Sequence, residues 1–294
     1  MDTLQKELTA IQRAKEEHRE LIDVLDLLEN LVETSRDDSI IASTPEAPPA
    51  GSSDFALRLS DGFPIADEKT VPLSIKDAHA RFDRVVGVLT VRNPEAGSRI
   101  VEALRDPQRF QSLLDTAFPG EIGLLDPKGD SEPLILLAAH ETLRPAFDVL
   151  WNIARTDYAD ALSGWSELFC PICGARPNLS FIEEEENRSL LFCSRCPAHW
   201  SFSRVTCPFC GETDHRNLRY FQVEDDNSHR VYVCDTCSHY IKAALGESGR
   251  HIHARLLDLL TLRLDAVARR EGYTRDTLDL LGILLLDIPE SEGA

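Results

Sequence analysis

The sequence predicts a multi-domain protein: a large all-α domain, two small four-cysteine metal modules, and a C-terminal helix that packs back on the helical domain. Three observations predict it. All eight cysteines fall between Cys170 and Cys237, in four Cys-x-x-Cys pairs. The chain before them places apolar residues at helical spacing with charges between. A strongly amphipathic stretch, His251 to Glu271, follows them. The expected divisions are an all-α domain over 1–166, a first module over 167–206, a second over 207–246, and a C-terminal helical segment over 247–294.

In chain order, Leu4, Leu8 and Ile11, then Leu21, Leu25, Leu28 and Val32, mark the first helices. Residues 36–55, rich in Ser, Pro, Ala and Gly, read as a mobile loop or linker. Ser74 with Asp77 forms a capping box that opens a helix through Phe82, Val85 and Leu89. Asp106-Pro107 opens another, with Phe110, Leu113 and Leu114 on its buried face. After the turn-rich PGEIGLLDPKGDSEP come helices through Leu137 and from Phe147 to Leu162, with Pro145 at a break or new start. The last helix carries Leu256, Leu259, Leu260 and Leu264.

The cysteines carry the chemistry. Two intervening residues let both sulfurs of a tight turn point at one ion, so a pair is half of a tetrahedral site. The eight ligands Cys170, Cys173, Cys193, Cys196, Cys207, Cys210, Cys234 and Cys237 therefore imply two metal ions. They also lie in one pattern used twice. CPICG, a hairpin around NLSFIEEEENRSLLF, CSRC and PAHWSFSRV are followed by CPFCG, a hairpin around LRYFQVEDDNSHRVYV, CDTC and SHYIKAAL. Sequential pairing, one ion per unit, is the simplest reading; interleaved pairing is the alternative. Gly174 and Gly211 suit the positive φ of a metal knuckle. His199 and Trp200 follow Cys196 much as His239 and Tyr240 follow Cys237. Either histidine could replace a ligand or support one from behind. Trp200 reads as a core residue, His140 as a packed or surface histidine, and Glu183 to Glu186 as a solvated hairpin tip.

Several classes are disfavoured. The formal charge of −19 argues against phosphate-backbone or anionic-membrane binding. Residues 160–245 alone carry 12 acidic and 8 basic side chains. The opening MDTLQKELTAIQRAKEEHRE has no apolar core or small-residue cleavage site, and LILLAA and LLGILLL are far too short to span a bilayer. The expected location is the cytoplasm, where thiols stay reduced and clustered cysteines favour metal over disulfides. No phosphate loop, nucleophile elbow or His-Glu-x-x-His motif is present. An all-cysteine shell leaves no open position for Lewis-acid catalysis. Such ions staple modules too small to bury a core, and the same sulfur cage accepts iron or zinc. Four independent redox pairs are a further reading that the repeated hairpins disfavour.

The helical half, then CPICG, CSRC, Trp200, Arg204, CPFCG and CDTC, then a helix ending in Glu271-Gly272-Tyr273, resembles the FdhE family of formate dehydrogenase accessory proteins. The link CPAHWSFSRVTCPFC is the most specific part of the likeness, and the closing TRDTLDLLGILLLDIPE departs from that family's shorter end. The resemblance implies an all-α domain joined to tandem rubredoxin-like, zinc-ribbon modules, each with iron or zinc. It also implies a non-enzymatic, chaperone-like cytoplasmic factor. Such a factor assists assembly or activation of respiratory formate dehydrogenase by binding its catalytic subunit before export, with neither nucleic acid nor membrane insertion. The alternatives are a rubredoxin-like electron carrier and a zinc-ribbon nucleic-acid binder.

Overall fold

The computed structural model describes residues 3–34, 53–66, 74–117, 132–183, 188–223, 226–246, 253–275 and 277. The expected mobile loop falls almost wholly outside them, as do most of the acidic hairpin tip and the chain beyond 277. The helices before the cysteines are α1 (Thr3–Glu17), α2 (Ile22–Thr34), α3 (Ser53–Ser60), α4 (Ile75–Leu89), α5 (Pro94–Ala103), α6 (Pro107–Ala117), α7 (Glu132–Asp157) and α8 (Ala159–Ser163). None of the described helices is long and apolar enough to cross a membrane. Contacts divide the chain into one unit of Met1–Ala42, Leu73–Pro145 and Leu278–Ala294, and another of Ser43–Pro72 and Ala146–Thr277.

The first unit is a helical core in which Ile11, Leu25, Leu28, Phe82, Val85, Phe110 and Leu114 are buried. The anticipated helix starts form as read. Ser74 Oγ accepts from the Asp77 amide at 3.4 Å. Asp106 Oδ1 accepts from the amides of Gln108 and Arg109 at 3.1 and 3.0 Å, which satisfies donors that no helical carbonyl can reach. Helix α5 was not expected; Asn93 caps it and Pro94 is its first residue.

Pro145 does not break α7. A proline inside a helix leaves the carbonyl four residues earlier without its donor, and here that carbonyl belongs to Glu141. The buried guanidinium of Arg81 supplies the donor, from Nη2 at 3.1 Å. Arg81 Nε also donates to the Thr142 carbonyl at 3.2 Å, and Nη1 to that of Thr34, the last residue of α2. One side chain of α4 thus caps α2 and fills the defect in α7.

The second unit is built on β1 (Pro177–Glu183), β2 (Arg188–Cys193), β3 (His199–Ser203), β4 (Leu218–Phe221), β5 (His229–Cys234) and β6 (Tyr240–Leu245). Each cysteine unit supplies an antiparallel three-strand meander, and the six strands form one sheet in the order β3-β2-β1-β6-β5-β4. The two modules are therefore not separate, and the sheet qualifies the all-α picture. The seam is a parallel pairing of β1 with β6, Leu179 opposite Lys242 through Ile182 opposite Leu245. Such long-range pairing leaves no local signature in either hairpin.

The C-terminal helix differs from expectation in two ways. It is split at Thr261 into α9 (Ala254–Leu260) and α10 (Leu262–Arg270). It also packs on the sheet of its own unit, a contact the sequence did not predict. Leu257 meets Leu179, Phe181 and Ala244, while Leu264 and Ala268 meet Val231, Val233 and Tyr240. The physical reason is a buried ionic cluster. Lys242, fully buried in β6, donates to Asp265 Oδ2 at 2.5 Å and Asp258 Oδ1 at 2.7 Å. Arg275 reaches Asp258 at 2.7 Å and Asp265 at 3.3 Å, and the Tyr240 hydroxyl donates to Asp265 at 2.7 Å. Burial pushes the Asp258 carboxyl up, but Arg275 and Lys242 outweigh it and hold the group below the usual range. Removing one member leaves a charge in the interior, so Asp265→Ala should cost roughly 3 kcal/mol or more. The denaturant midpoint of the full chain measures this, and a loss under about 1 kcal/mol, the scale of a surface pair, would contradict the assignment.

Candidate metal centres

The cysteines gather into two sets in chain order, Cys170, Cys173, Cys193 and Cys196, then Cys207, Cys210, Cys234 and Cys237, with each set's sulfurs all within 4.8 Å of one another. The interleaved alternative does not occur. In the first set Cys170 and Cys196 sulfurs lie 3.5 Å apart, and those of Cys173 and Cys193 3.4 Å. In the second, Cys207 to Cys237 is 3.8 Å and Cys210 to Cys234 is 3.7 Å. A regular tetrahedron with metal–sulfur bonds of ~2.3 Å has edges of about 3.8 Å. The sulfurs are thus spaced to hold one ion per set.

Backbone geometry explains the convergence. In each unit the first cysteine's amide donates to the residue five positions on, Cys170 to Ala175 at 2.9 Å and Cys207 to Glu212 at 2.8 Å. Gly174 and Gly211 close the turns with amides on Cys170 and Cys207 carbonyls at 3.0 Å, at φ of 73° and 77°. Cys193 pairs with Ala198 and Cys234 with His239 in the same way, both at 3.0 Å. In the last knuckle Ser238 takes the left-handed position, at φ 59°. Amides of Ile172, Arg195 and Phe209 point at the sulfurs of Cys170, Cys193 and Cys207, at 3.3, 3.3 and 3.4 Å. Such donors offset negative charge on a thiolate.

Burial pushes the thiols of Cys170, Cys196, Cys207 and Cys237 up, that of Cys237 to about 11. Burial acts the same way on Cys173, but bonds from Cys170, Cys193 and Cys196 outweigh it and lower that thiol. Four thiolates in so small a space need a central cation. The donor set, spacing and backbone donors all fit a divalent ion in each cluster.

The histidines are not ligands: among the described residues the metal-competent groups contain cysteine alone. The backbone register also shifts their correspondence. Ala198, not His199, matches His239, since each accepts from the cysteine five positions earlier. His239 does support its knuckle, with Nδ1 2.8 Å from the Cys237 carbonyl oxygen and its ring on Phe209. His199 instead packs against Trp151 and Phe192. Trp200 is a core residue, as read, and His140 is buried in α7. Two contributors went unread. Arg195, between Cys193 and Cys196, is buried against the first sulfur set and its guanidinium lies over Phe147 at 4.7 Å. Glu212 accepts from Thr236 Oγ1 and Asn217 Nδ2, which join the two knuckles of the second set and hold its carboxyl down at about 2. A basic residue inside one knuckle, matched by Thr236 in the other, was the available signal.

Since the sets are sequential, Cys207→Ser with Cys210→Ser should halve the metal content and leave the ion bound by Cys170, Cys173, Cys193 and Cys196. Elemental analysis of the purified double variant reads this directly; loss of both ions would show that the shared sheet makes the centres interdependent.

Residues 205–282 match the family model described as FdhE, C-terminal domain. The chain is 32% identical over 223 residues to an FdhE homologue of Enterobacter sp. (strain 638), covering 74% of this chain and 69% of that one. It is 24% identical over 235 residues to the FdhE protein of Salmonella dublin, covering 77% and 73%. Its fold is similar to the crystal structure of the FdhE protein from Pseudomonas aeruginosa, with a TM-score of 0.66 over 95% of each chain at 22% identity. With the sulfur sets in place and this likeness running beyond them, the chain belongs to the FdhE family.

Proposed function

We propose that this protein is a non-catalytic accessory factor of formate dehydrogenase, which binds that enzyme's catalytic subunit in the cytoplasm during maturation. The observation that carries the reading is a cleft on the sheet face turned away from α9 and α10. Strand alternation builds it. Leu179, Phe181 and Ala244 face the helices, while Leu191, Phe202, Tyr232 and Ile241 face the cleft. Arg204 from the link and Phe209 from the CPFCG knuckle form its walls. Val205 and Tyr220, 61% and 52% exposed, add apolar surface on the link and on β4, beside Tyr232. The cleft draws on both cysteine units, so the relative placement of the two centres shapes it.

An all-cysteine shell has no position for substrate, which supports presentation of a surface rather than turnover. The net charge of −19 likewise favours a protein partner over nucleic acid. A rubredoxin-like electron carrier is the second reading. It is favoured by the amide-to-sulfur bonds and by the exposure of Cys210; a visible spectrum bleached reversibly by reductant is its signature.

Val205→Asp with Tyr220→Asp should preserve metal content and thermal unfolding while lowering recovery of the formate dehydrogenase catalytic subunit in pull-downs by about tenfold or more, the scale of a lost apolar anchor. Formate oxidation by cells carrying the variant should fall in parallel. Undiminished capture and oxidation would remove the cleft from the docking surface.

A further inference from the structure

The two centres repeat the same knuckles but not the same surroundings. In the first, Cys170, Cys173, Cys193 and Cys196 are all buried, at 0, 1, 6 and 4% exposure. Around them Ile172, Ala175, Arg195 and Ala198 are buried as well. In the second, Cys207 and Cys234 are buried, Cys237 is half-buried and Cys210 is exposed. The residues that match Ser194 and Arg195 are Asp235 and Thr236, both open to solvent.

Charge follows the same division. Four thiolates around a divalent ion carry a net charge of −2, which is costly to bury. Arg195, buried between Cys193 and Cys196 with its guanidinium over Phe147 at 4.7 Å, places a positive charge beside the first set that offsets part of that charge. The second set has no cation in that place. Its charged neighbours pair among themselves, Arg219 with Asp235 at 2.7 Å and Arg216 with Asp214 at 2.5 Å. In place of a buried cation, the second set is open to solvent at Cys210.

We propose that the second centre is the exchangeable metal site, entered at Cys210, and that Arg195 locks the first. A competing ligand or a proton from water reaches the Cys210 sulfur first. As the ion passes to that ligand, the four released thiolates take up protons from solvent. Cys207 and Cys234 also line the cleft, so an ion that comes and goes there alters one wall of it. The inference rests on both clusters holding a divalent ion, and goes beyond the accessory role in making one of them responsive to metal supply. The first centre, sealed and charge-compensated, remains a fixed staple.

The test uses the full chain loaded with zinc and the chromogenic chelator 4-(2-pyridylazo)resorcinol in excess. Release should be biphasic, one equivalent leaving ~10-fold or more faster than the other, the scale on which outer partners alter metal affinity. Cys207→Ser with Cys210→Ser should abolish the fast phase and keep the slow one. Arg195→Thr, which installs the residue found at the matching place in the second unit, should quicken only the slow phase; near-native circular dichroism and unchanged fast release would show that the fold survives. Two ions leaving at one rate, or a fast phase that persists without Cys207 and Cys210, would overturn the division. A total of fewer than two ions in denaturant would instead overturn the metal reading itself. Pull-down of the catalytic subunit measures the accessory role separately.

Discussion

A lysine ammonium stands in the middle of a six-stranded sheet, and much of the second unit follows from neutralising it. Lys242 lies on β6, next to the seam with β1, and is fully buried. An isolated charge there would cost several kcal/mol. Asp258 and Asp265 from α9 and α10, with Arg275 beyond them, complete a set of two cations and two anions. The helices are thereby assigned to one sheet face. The chain after α10 is drawn in too, where the Thr274 amide and carbonyl bond Ser238 and Tyr240 at 2.8 and 3.1 Å. The opposite face keeps its cleft because the ionic set recruits both helices to one side.

The helical unit solves a similar problem with a different charge. Arg81 is buried where carbonyls, not carboxylates, need partners: at the end of α2 and at the gap that Pro145 leaves in α7. A proline that reads as a stop can be absorbed when another helix brings a donor to the orphaned carbonyl. Both units therefore use long basic side chains as internal fasteners, each joining elements that no local turn connects.

Whether a contact is marked locally decides what was legible in the sequence. The hairpins and the caps at Ser74 and Asp106 are specified within a few residues, and each sulfur set announces itself through two Cys-x-x-Cys pairs however far apart the pairs lie; all form as read. The knuckle glycines were readable because only a local backbone demand places them there. The continuity of α7 depends on Arg81, some 60 residues away, and the position of α9 and α10 on Lys242. The seam between β1 and β6 joins strands with no sequence neighbourhood at all. Even the one-residue offset that sets His239 opposite Ala198 is fixed by hydrogen-bond register, which spacing from Cys196 and Cys237 does not reveal.

The seam itself carries a further consequence. It joins the first strand of one repeat to the last strand of the other, a head-to-tail contact rather than a twofold one. The free edges of the sheet are again a last strand, β3, and a first strand, β4, so the same docking could in geometry continue from copy to copy. A contact of that kind does not close, and unchecked it yields fibres. The outer strands are poorly made for it. β1 runs seven residues and β6 is buried throughout, whereas β4 has only four residues, with Arg219 turned out to solvent, and β3 alternates exposed with buried positions. A very short edge strand with a charged side chain turned outward discourages another chain from adding on. A repeat joined head to tail into one continuous sheet thus leaves the same docking geometry at both ends, and the short end strand β4 disfavours its continuation into a second copy.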